Sequence, residues 1–387
     1  MAEFPNHLAS GASGFAWGSL PLHADALTPA PWRSPRPAAD FVLGTPGDGR
    51  RPRYPGDRPP GSFVVHEGQV LTVRPSSTRC GWQVLGRDPD PTDLDEWLVA
   101  RGQAPIATRV ACVGYGSNLN PAQVHRFAGP TAAVVLRAVT VGTAAAYCTS
   151  PRQTDSQYPA GIVADSPSRV EAHGIVLLHP DRTPHLDRKE GQGGTYARSL
   201  VAGRGAPVAA VLEDGTMLAD RLPVYLQRSR RVAMSDGRAV LLADRDQEAF
   251  ARDRPADETD EHGLVTRAVD RLPPLETVPV PVFAYGTLRP GRSRWPAIAG
   301  MVASHEPASL HGDRFETGYG YPGLRLGRAG APVVAGVLLQ PAPGQHRRLV
   351  RELDLIEGHP GLYARHLVRL DDGRLAWTYV WGVRSGT

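Results

Sequence analysis

A chain of 387 residues with 41% hydrophobic content has room for two or three ordinary cores, and a formal net charge of +4 is too small an excess to mark a nucleic-acid binder. No stretch approaches the roughly 18 apolar residues of a membrane span, and the opening MAEFPNHLASGASGF lacks the basic start and unbroken apolar core of a secretion signal. A cytoplasmic location is therefore expected, with neither nucleic acid nor membrane as partner.

Residues 1–60 are crowded with proline and glycine, as in TPAPWRSPRPAAD and TPGDGRRPRYPGDRPPG, and are expected to be irregular. Residues 61–105 read as a small unit. SFVVHEGQVLTVR suggests two short strands about a Glu-Gly turn, and PTDLDEWLVARG a short helix capped by Thr92 or Asp93. Cys80, Cys112 and Cys148 lie far apart, with no CxxC pair and no histidine cluster, so buried thiols are expected and neither a metal site nor a disulfide framework. The basic residues are arginines apart from Lys189, a bias that fits a GC-rich bacterial genome, and the dense run RSRR at 228–231 reads as solvated surface.

From residue 106 onward the chain repeats itself. LDRKEGQGGTYARSLV at 186–201 and LDLIEGHPGLYARHLV at 353–368 align without a gap and agree at ten of sixteen positions, where about one match is expected from background residue frequencies. VACVGYGSNLN at 110–120 and VPVFAYGTLRP at 280–290 are likewise versions of one phrase, and GIVLL and GVLL follow each in turn. An Asp-Gly turn comes last in each copy, Asp214-Gly215 and Asp372-Gly373, leading into VYL and YVW. Tyr115 precedes Glu190 by 75 residues and Tyr285 precedes Glu357 by 72. Two homologous domains are expected, at 106–245 and 278–387, with 246–277 as a charged, exposed linker carrying a helical piece. Short valine- and alanine-rich runs between frequent turns make each an α+β domain built on a closed or nearly closed sheet.

A loop that leaves a strand and enters a helix turns several backbone N–H groups one way, and a glycine there allows close approach to the main chain. Tyr115-Gly116-Ser117-Asn118, with Asn120-Pro121 as cap and first helical residue, and Tyr285-Gly286-Thr287-Leu288 both suit a carboxylate grip; either alone is better explained as a structural turn. Leu349, Val350, Leu353 and Ile356 recur at helical spacing, placing Glu357 at a helix C-terminus before the stop residue Gly358, and Glu190-Gly191 repeats the arrangement. The negative end of the helix dipole tends to raise a carboxyl pKa, as a general base and acid requires, although such a glutamate can also be a surface residue. Tyr196 and Tyr363 follow the glutamates by six residues and are either pocket-lining or core tyrosines. Arg198 and Arg365 are candidate strand anchors, and His173 and His359 are expected outside the chemistry.

The pairing of a Y-G-S-N-L or Y-G-T-L turn with a downstream L-D-x-x-E-G…Y resembles the γ-glutamylcyclotransferase family. Residues 106–245, with YGSNL and LDRKEG, are similar to the γ-glutamylcyclotransferases proper. Residues 278–387, with VFAYGTLRPG, GYPGL and LDLIEGHPGLYAR, resemble the branch of γ-glutamylamine cyclotransferases and plant AIG2-like proteins. The resemblance implies two β-barrel-like domains in tandem, able to form a pseudo-dimer within one chain. It implies release of 5-oxoproline by attack of a γ-glutamyl α-amine on its own γ-carbonyl, without cofactor or metal. Glu190 and Glu357 would be the acid–base residues, with Tyr115, Gly116, Ser117, Asn118, Leu119 and Tyr196 binding substrate in one site, and Tyr285, Gly286, Thr287, Leu288 and Tyr363 in the other. The small-molecule substrate stays open between glutathione-related dipeptides, γ-glutamyl-ε-lysine and a γ-glutamyl-protected biosynthetic intermediate. A tandem scaffold that binds a small carboxylate without turnover is the alternative.

Overall fold

In the computed structural model the described residues are 34–41, 54–76, 80–86, 90–153, 155–165, 170–204, 207–219, 221–327, 330–359 and 361–382. Most of the proline- and glycine-rich opening, residues 1–33 and 42–53, thus lies outside them. The strand Ala133–Val141, AVVLRAVTV, is buried at every position but Arg137. Burial on both faces accounts for a continuous apolar sequence in place of alternation. Val134, Leu136 and Ala138 enter one core, while Ala133 and Val135 on the opposite face enter a second. Farther along that second face, Val139 and Val141 pack with Val280, Val282, Leu349 and Leu353 of the C-terminal half.

The large sheet grows outward from this strand. Val170–Leu178 pairs with it on one side and, through Gly174 to Leu178, with Val110–Gly114. On the other side lie Phe63–His66 and Ala209–Leu212, at different positions along its length. The segment 61–105, expected as a separate small unit, therefore belongs to this sheet, with Phe63 opposite Val135 and Val64 opposite Val134. Its hairpin to Gln69–Pro75 turns at Glu67 and Gly68, both at positive φ, as a two-residue hairpin requires. The helix α1 (Leu94–Val99) follows, its N-terminal amides of Asp95 and Glu96 donating to the Asp93 carboxylate. Then come α2 (Pro121–Ala128) and α3 (Thr183–Glu190).

Residues 246–277 do not form a free linker. The helix α4 (Gln247–Arg252) buries Phe250 in a stack on Tyr147 at 4.1 Å, and Leu264–Ala268 pairs with Tyr196–Gly203. Charge dominates the composition of this stretch, but Phe250, Leu264 and Leu272 are all buried, and they pin it.

The C-terminal half is a six-stranded sheet in the order Pro322–Leu326, Val302–Glu316, Val333–Pro341, Val282–Ala284, Leu375–Trp381, Tyr363–Arg369. The short α5 (Trp295–Ile298) lies between the strands Val282–Ala284 and Val302–Glu316, and α6 (His346–Glu357) lays Leu349 and Leu353 on the shared core. The Asp372-Gly373 turn joins the last two strands directly, whereas Asp214-Gly215 joins an extra hairpin, Ala209–Leu212 with Thr216–Ala219. The repeated dipeptide therefore marks different places in the two halves. The extra hairpin forms the junction: Met217 pairs with Val278, the Val280 amide donates to the Gly215 carbonyl at 3.0 Å, and Arg347 of α6 meets Asp214 at 2.7 Å. Among the described residues no helix is long and apolar enough to cross a membrane.

The Asp214 side chain is 3% exposed and also accepts from the Thr216 amide and hydroxyl. Replacing Arg347 by Ala leaves a buried carboxylate without its cation and should cost about 1–3 kcal/mol. A lower urea midpoint at unchanged m-value is the expected result.

Candidate active site

The strand Val110–Gly114 delivers Tyr115 and Gly116 into a single 3-10 turn, Ser117–Leu119, and α2 starts at Pro121 with the Asn120 side chain accepting from the Gln123 amide at 3.1 Å. The predicted path of strand, turn and capped helix is thus the observed one. In the other half Val282–Ala284 delivers Tyr285 and Gly286 into a turn closed by the Arg289 amide on the Gly286 carbonyl. Both glutamates end their helices, followed by Gly191 at φ 64° and Gly358 at φ 60°. A left-handed residue stops each helix and lets its last side chain turn inward.

Each turn and its glutamate share one small cavity. Tyr115, Gly116, Ser117 and Asn118 line it with Glu190 and Tyr196; Tyr285, Gly286, Thr287 and Leu288 line the other with Glu357 and Tyr363. Each encloses about 20 Å³, space for roughly one water. Leu119 is not part of its site: it is buried in the core, its side chain packed against Gly114 and Gly174. What comes close to the turn glycines is protein, the Tyr54 hydroxyl at Gly116 and Pro322 at Gly286.

The two carboxyls differ in their surroundings. Glu357 is buried, and that burial pushes its pKa from 4.5 up to about 7, with the Arg294 guanidinium 3.7 Å away pulling more weakly in the opposite sense. The direction is the one expected from the helix terminus, but the leading cause is desolvation. Glu190 instead meets the ammonium of Lys189 at 2.9 Å. That ammonium also donates to Asn118 Oδ1 and, at 3.4 Å, to Ser117 Oγ. The chain's single lysine, conspicuous in the sequence but without an evident role there, thus ties turn to glutamate.

A matching tyrosine frame holds both sites. Tyr115 donates to the Tyr225 carbonyl and Tyr285 to that of Tyr379. Tyr225 and Tyr379 donate in turn to Asp187 and Asp354, each at 2.7 Å. Those aspartates, the D of each LDxxEG, also face Arg198 and Arg365 at 3.4 and 3.6 Å. Tyr196 and Tyr363 line their cavities while donating their hydroxyls to the carbonyls of Ala160 and Pro322, both at 2.7 Å. Pocket tyrosine and core tyrosine are therefore the same residue here. Gln192 and His359 accept the amides of Arg198 and Arg365, and His173, which lines neither cavity, bonds Thr140 at 2.8 Å and meets the Glu171 carboxylate at 3.2 Å.

Sequence reasoning missed Tyr321 and Pro322, although GYPGL was a visible phrase, and missed Tyr54, for which a proline-rich stretch offers no signal. All three line the cavities.

A carboxyl whose pKa is raised on folding binds its proton more tightly in the native state. The associated stability is full below pH 4.5 and is lost as pH rises through about 7. Glu357→Gln removes this loss. Relative to the unsubstituted protein its stability should improve between pH 5 and pH 8 by on the order of 1–3 kcal/mol, read by urea denaturation at the two pH values. Glu213, also pushed up to about 7 by burial, titrates alike in both proteins and cancels.

Residues 282–386 match the family described as gamma-glutamyl cyclotransferase, AIG2-like. No curated protein matches the chain. Among solved structures, the uncharacterized protein PH0828 from Pyrococcus horikoshii is 17% identical over 27% of this chain and 80% of that one, with a TM-score of 0.20. YkqA from Bacillus subtilis is 14% identical over 71% of this chain and 85% of that one, with a TM-score of 0.22. The matched residues 282–386 contain both Glu357 and the YGTL turn, which line one cavity.

Proposed function

We propose that the protein is a cyclotransferase that releases 5-oxoproline from γ-glutamyl amines or peptides, with Glu357 as acid–base residue of one site and Glu190 of a second, homologous one. The observation that carries this reading is Glu357: a buried carboxyl near pKa 7, facing a strand-to-turn backbone within the matched domain. The one-to-one correspondence of tyrosine, aspartate and arginine contacts supports extending the reading to the first site.

In the reaction the α-amine attacks the γ-carbonyl of the same glutamyl group. A C–N bond closes the five-membered ring and the C–N bond to the departing amine breaks. The proton lost by the α-amine passes to the carboxylate and from it to the leaving nitrogen, so the carboxyl ends as it began. A carboxyl near pKa 7 can do both, and positioned acid–base groups contribute roughly 10²–10⁴-fold. Backbone amides at the head of each turn hold the glutamyl α-carboxylate. Because nucleophile and electrophile belong to one molecule, holding it curled supplies much of the remainder. The 20 Å³ cavities must widen to admit a glutamyl chain.

The two sites should contribute unequally, because the ammonium of Lys189 lies against Glu190, whereas Glu357 keeps Arg294 at a longer distance. In a screen of γ-glutamyl dipeptides, γ-glutamyl-ε-lysine and γ-glutamyl alkylamines for 5-oxoproline, Glu357→Gln should remove most turnover, about 10²-fold or more. Glu190→Gln should remove less. The double variant should stay folded and inactive; full activity there would sink the mechanism, and absence of 5-oxoproline from every compound would favour a binding scaffold. With Glu190→Gln as the background, kcat/KM should rise with pH through about 7 as Glu357 ionises.

A further inference from the structure

Almost every wall of one cavity has a counterpart in the other at the same place in the repeat. Val113 answers to Phe283, Ala160 to Pro322 and Tyr225 to Tyr379, besides the turn and motif residues. One pair breaks the order. Tyr321 belongs to the strand-side phrase of its own half, but the residue before Ala160 is Pro159, and the aromatic wall of the first cavity is Tyr54, far upstream in the proline-rich opening.

The two tyrosines are dressed alike. The guanidinium of Arg152 lies over the Tyr54 ring at 4.8 Å from its centroid, and that of Arg294 over Tyr321 at 5.3 Å. Tyr54 is buried, and its hydroxyl accepts the Ala160 amide proton at 3.1 Å. Among the described residues no oxygen accepts the hydroxyl's own proton, which is left to donate beside Gly116 and Glu190. The segment is fastened to the signature turn itself: Arg58 donates to the carbonyls of Tyr115 and Gly116 at 3.3 Å, and the Asn120 side chain donates to the Asp57 carbonyl at 2.9 Å. The position of Tyr54 is thereby set by the very residues that form the turn.

Resting on the cyclotransferase reading, we propose that Tyr54 is a positioning residue of the first site, supplied from outside the repeat to replace the wall that Tyr321 gives the second, with its O–H donating to the bound γ-glutamyl group. The upstream segment is then part of the first catalytic unit, and the first site is incomplete without it. The second is complete within 278–387.

The test separates the sites by background. Glu357→Gln leaves turnover to the first site and Glu190→Gln leaves it to the second. Tyr54→Phe and Tyr54→Ala are placed in each, and kcat and KM for γ-L-glutamyl-L-alanine are measured by 5-oxoproline release. The ratio of first-site to second-site kcat/KM should fall about 10-fold for Tyr54→Phe, which loses one hydrogen bond to a polar or charged group, and further for Tyr54→Ala. Tyr321→Ala should move the ratio the other way. An unchanged ratio with both Tyr54 variants, or an equal fall in the two backgrounds, overturns the proposal; Tyr54→Phe decides if Tyr54→Ala does not fold. Should no background yield 5-oxoproline, the cyclotransferase reading fails, and calorimetric titration of the same dipeptide takes over. Loss of one of two binding events in Tyr54→Phe would uphold the role of Tyr54. Unchanged binding, or none to the unsubstituted protein, would overturn it.

Discussion

The burial of Ala133–Val141 on both faces is the constraint on which the rest of the molecule depends. A strand covered on one side only could have served a single domain. This one gives Val134, Leu136 and Ala138 to the core of the N-terminal half, and divides its other face between the α2 side and the C-terminal half. Pulling the halves apart would expose Val139 and Val141 together with the surfaces of Val280, Leu349 and Leu353. The halves are consequently joined by a continuous apolar core, and the Asp214–Arg347 pair only closes its edge. The registers that place Gly174 opposite Gly114 also aim the signature turn, since Leu119 packs over both glycines.

From that base the sites follow by hydrogen bonds that leave little freedom. A tyrosine at the end of the signature strand donates to a neighbouring strand, whose own tyrosine donates to the aspartate of the helix that ends in the glutamate. Strand, neighbouring strand and helix terminus are thus linked in series, and the carboxyl faces the turn because the aspartate three residues earlier on its helix is held. The frame is shared, but the electrostatics are not. One carboxyl is kept from water, with its guanidinium at 3.7 Å, and the other rests on an ammonium at 2.9 Å. The two cavities differ in the cations set around matching tyrosine and aspartate contacts.

Much of this was legible beforehand. The turns, the capped helix at Asn120-Pro121 and the glycine stops after Glu190 and Glu357 follow from local rules of spacing and capping, whereas the pairing of turn with glutamate rested on the family resemblance. The errors share a cause. Residues 246–277 read as a free linker because charge dominates their composition, yet three buried side chains decided their place. Leu119 read as part of a binding phrase, yet its apolar side chain went to the core. The rise in the Glu357 pKa was inferred from a dipole, whereas burial, a property of the surrounding fold, is the larger cause.

By itself the sequence determined the repeated phrases, the turn residues and glutamates they contain and the local shape of turn and helix end, because these rest on periodicity, capping and matching phrases within a few residues of one another. Only the tertiary structure decided which distant residues complete them. Lys189 reaching Asn118, Tyr54 lining the cavity of Glu190, and the fusion of two cores through one strand all depend on contacts between segments far apart in the chain. Nothing in local spacing encodes such contacts, because they arise from the joint requirement to bury both faces of a sheet and to satisfy the polar groups that burial encloses.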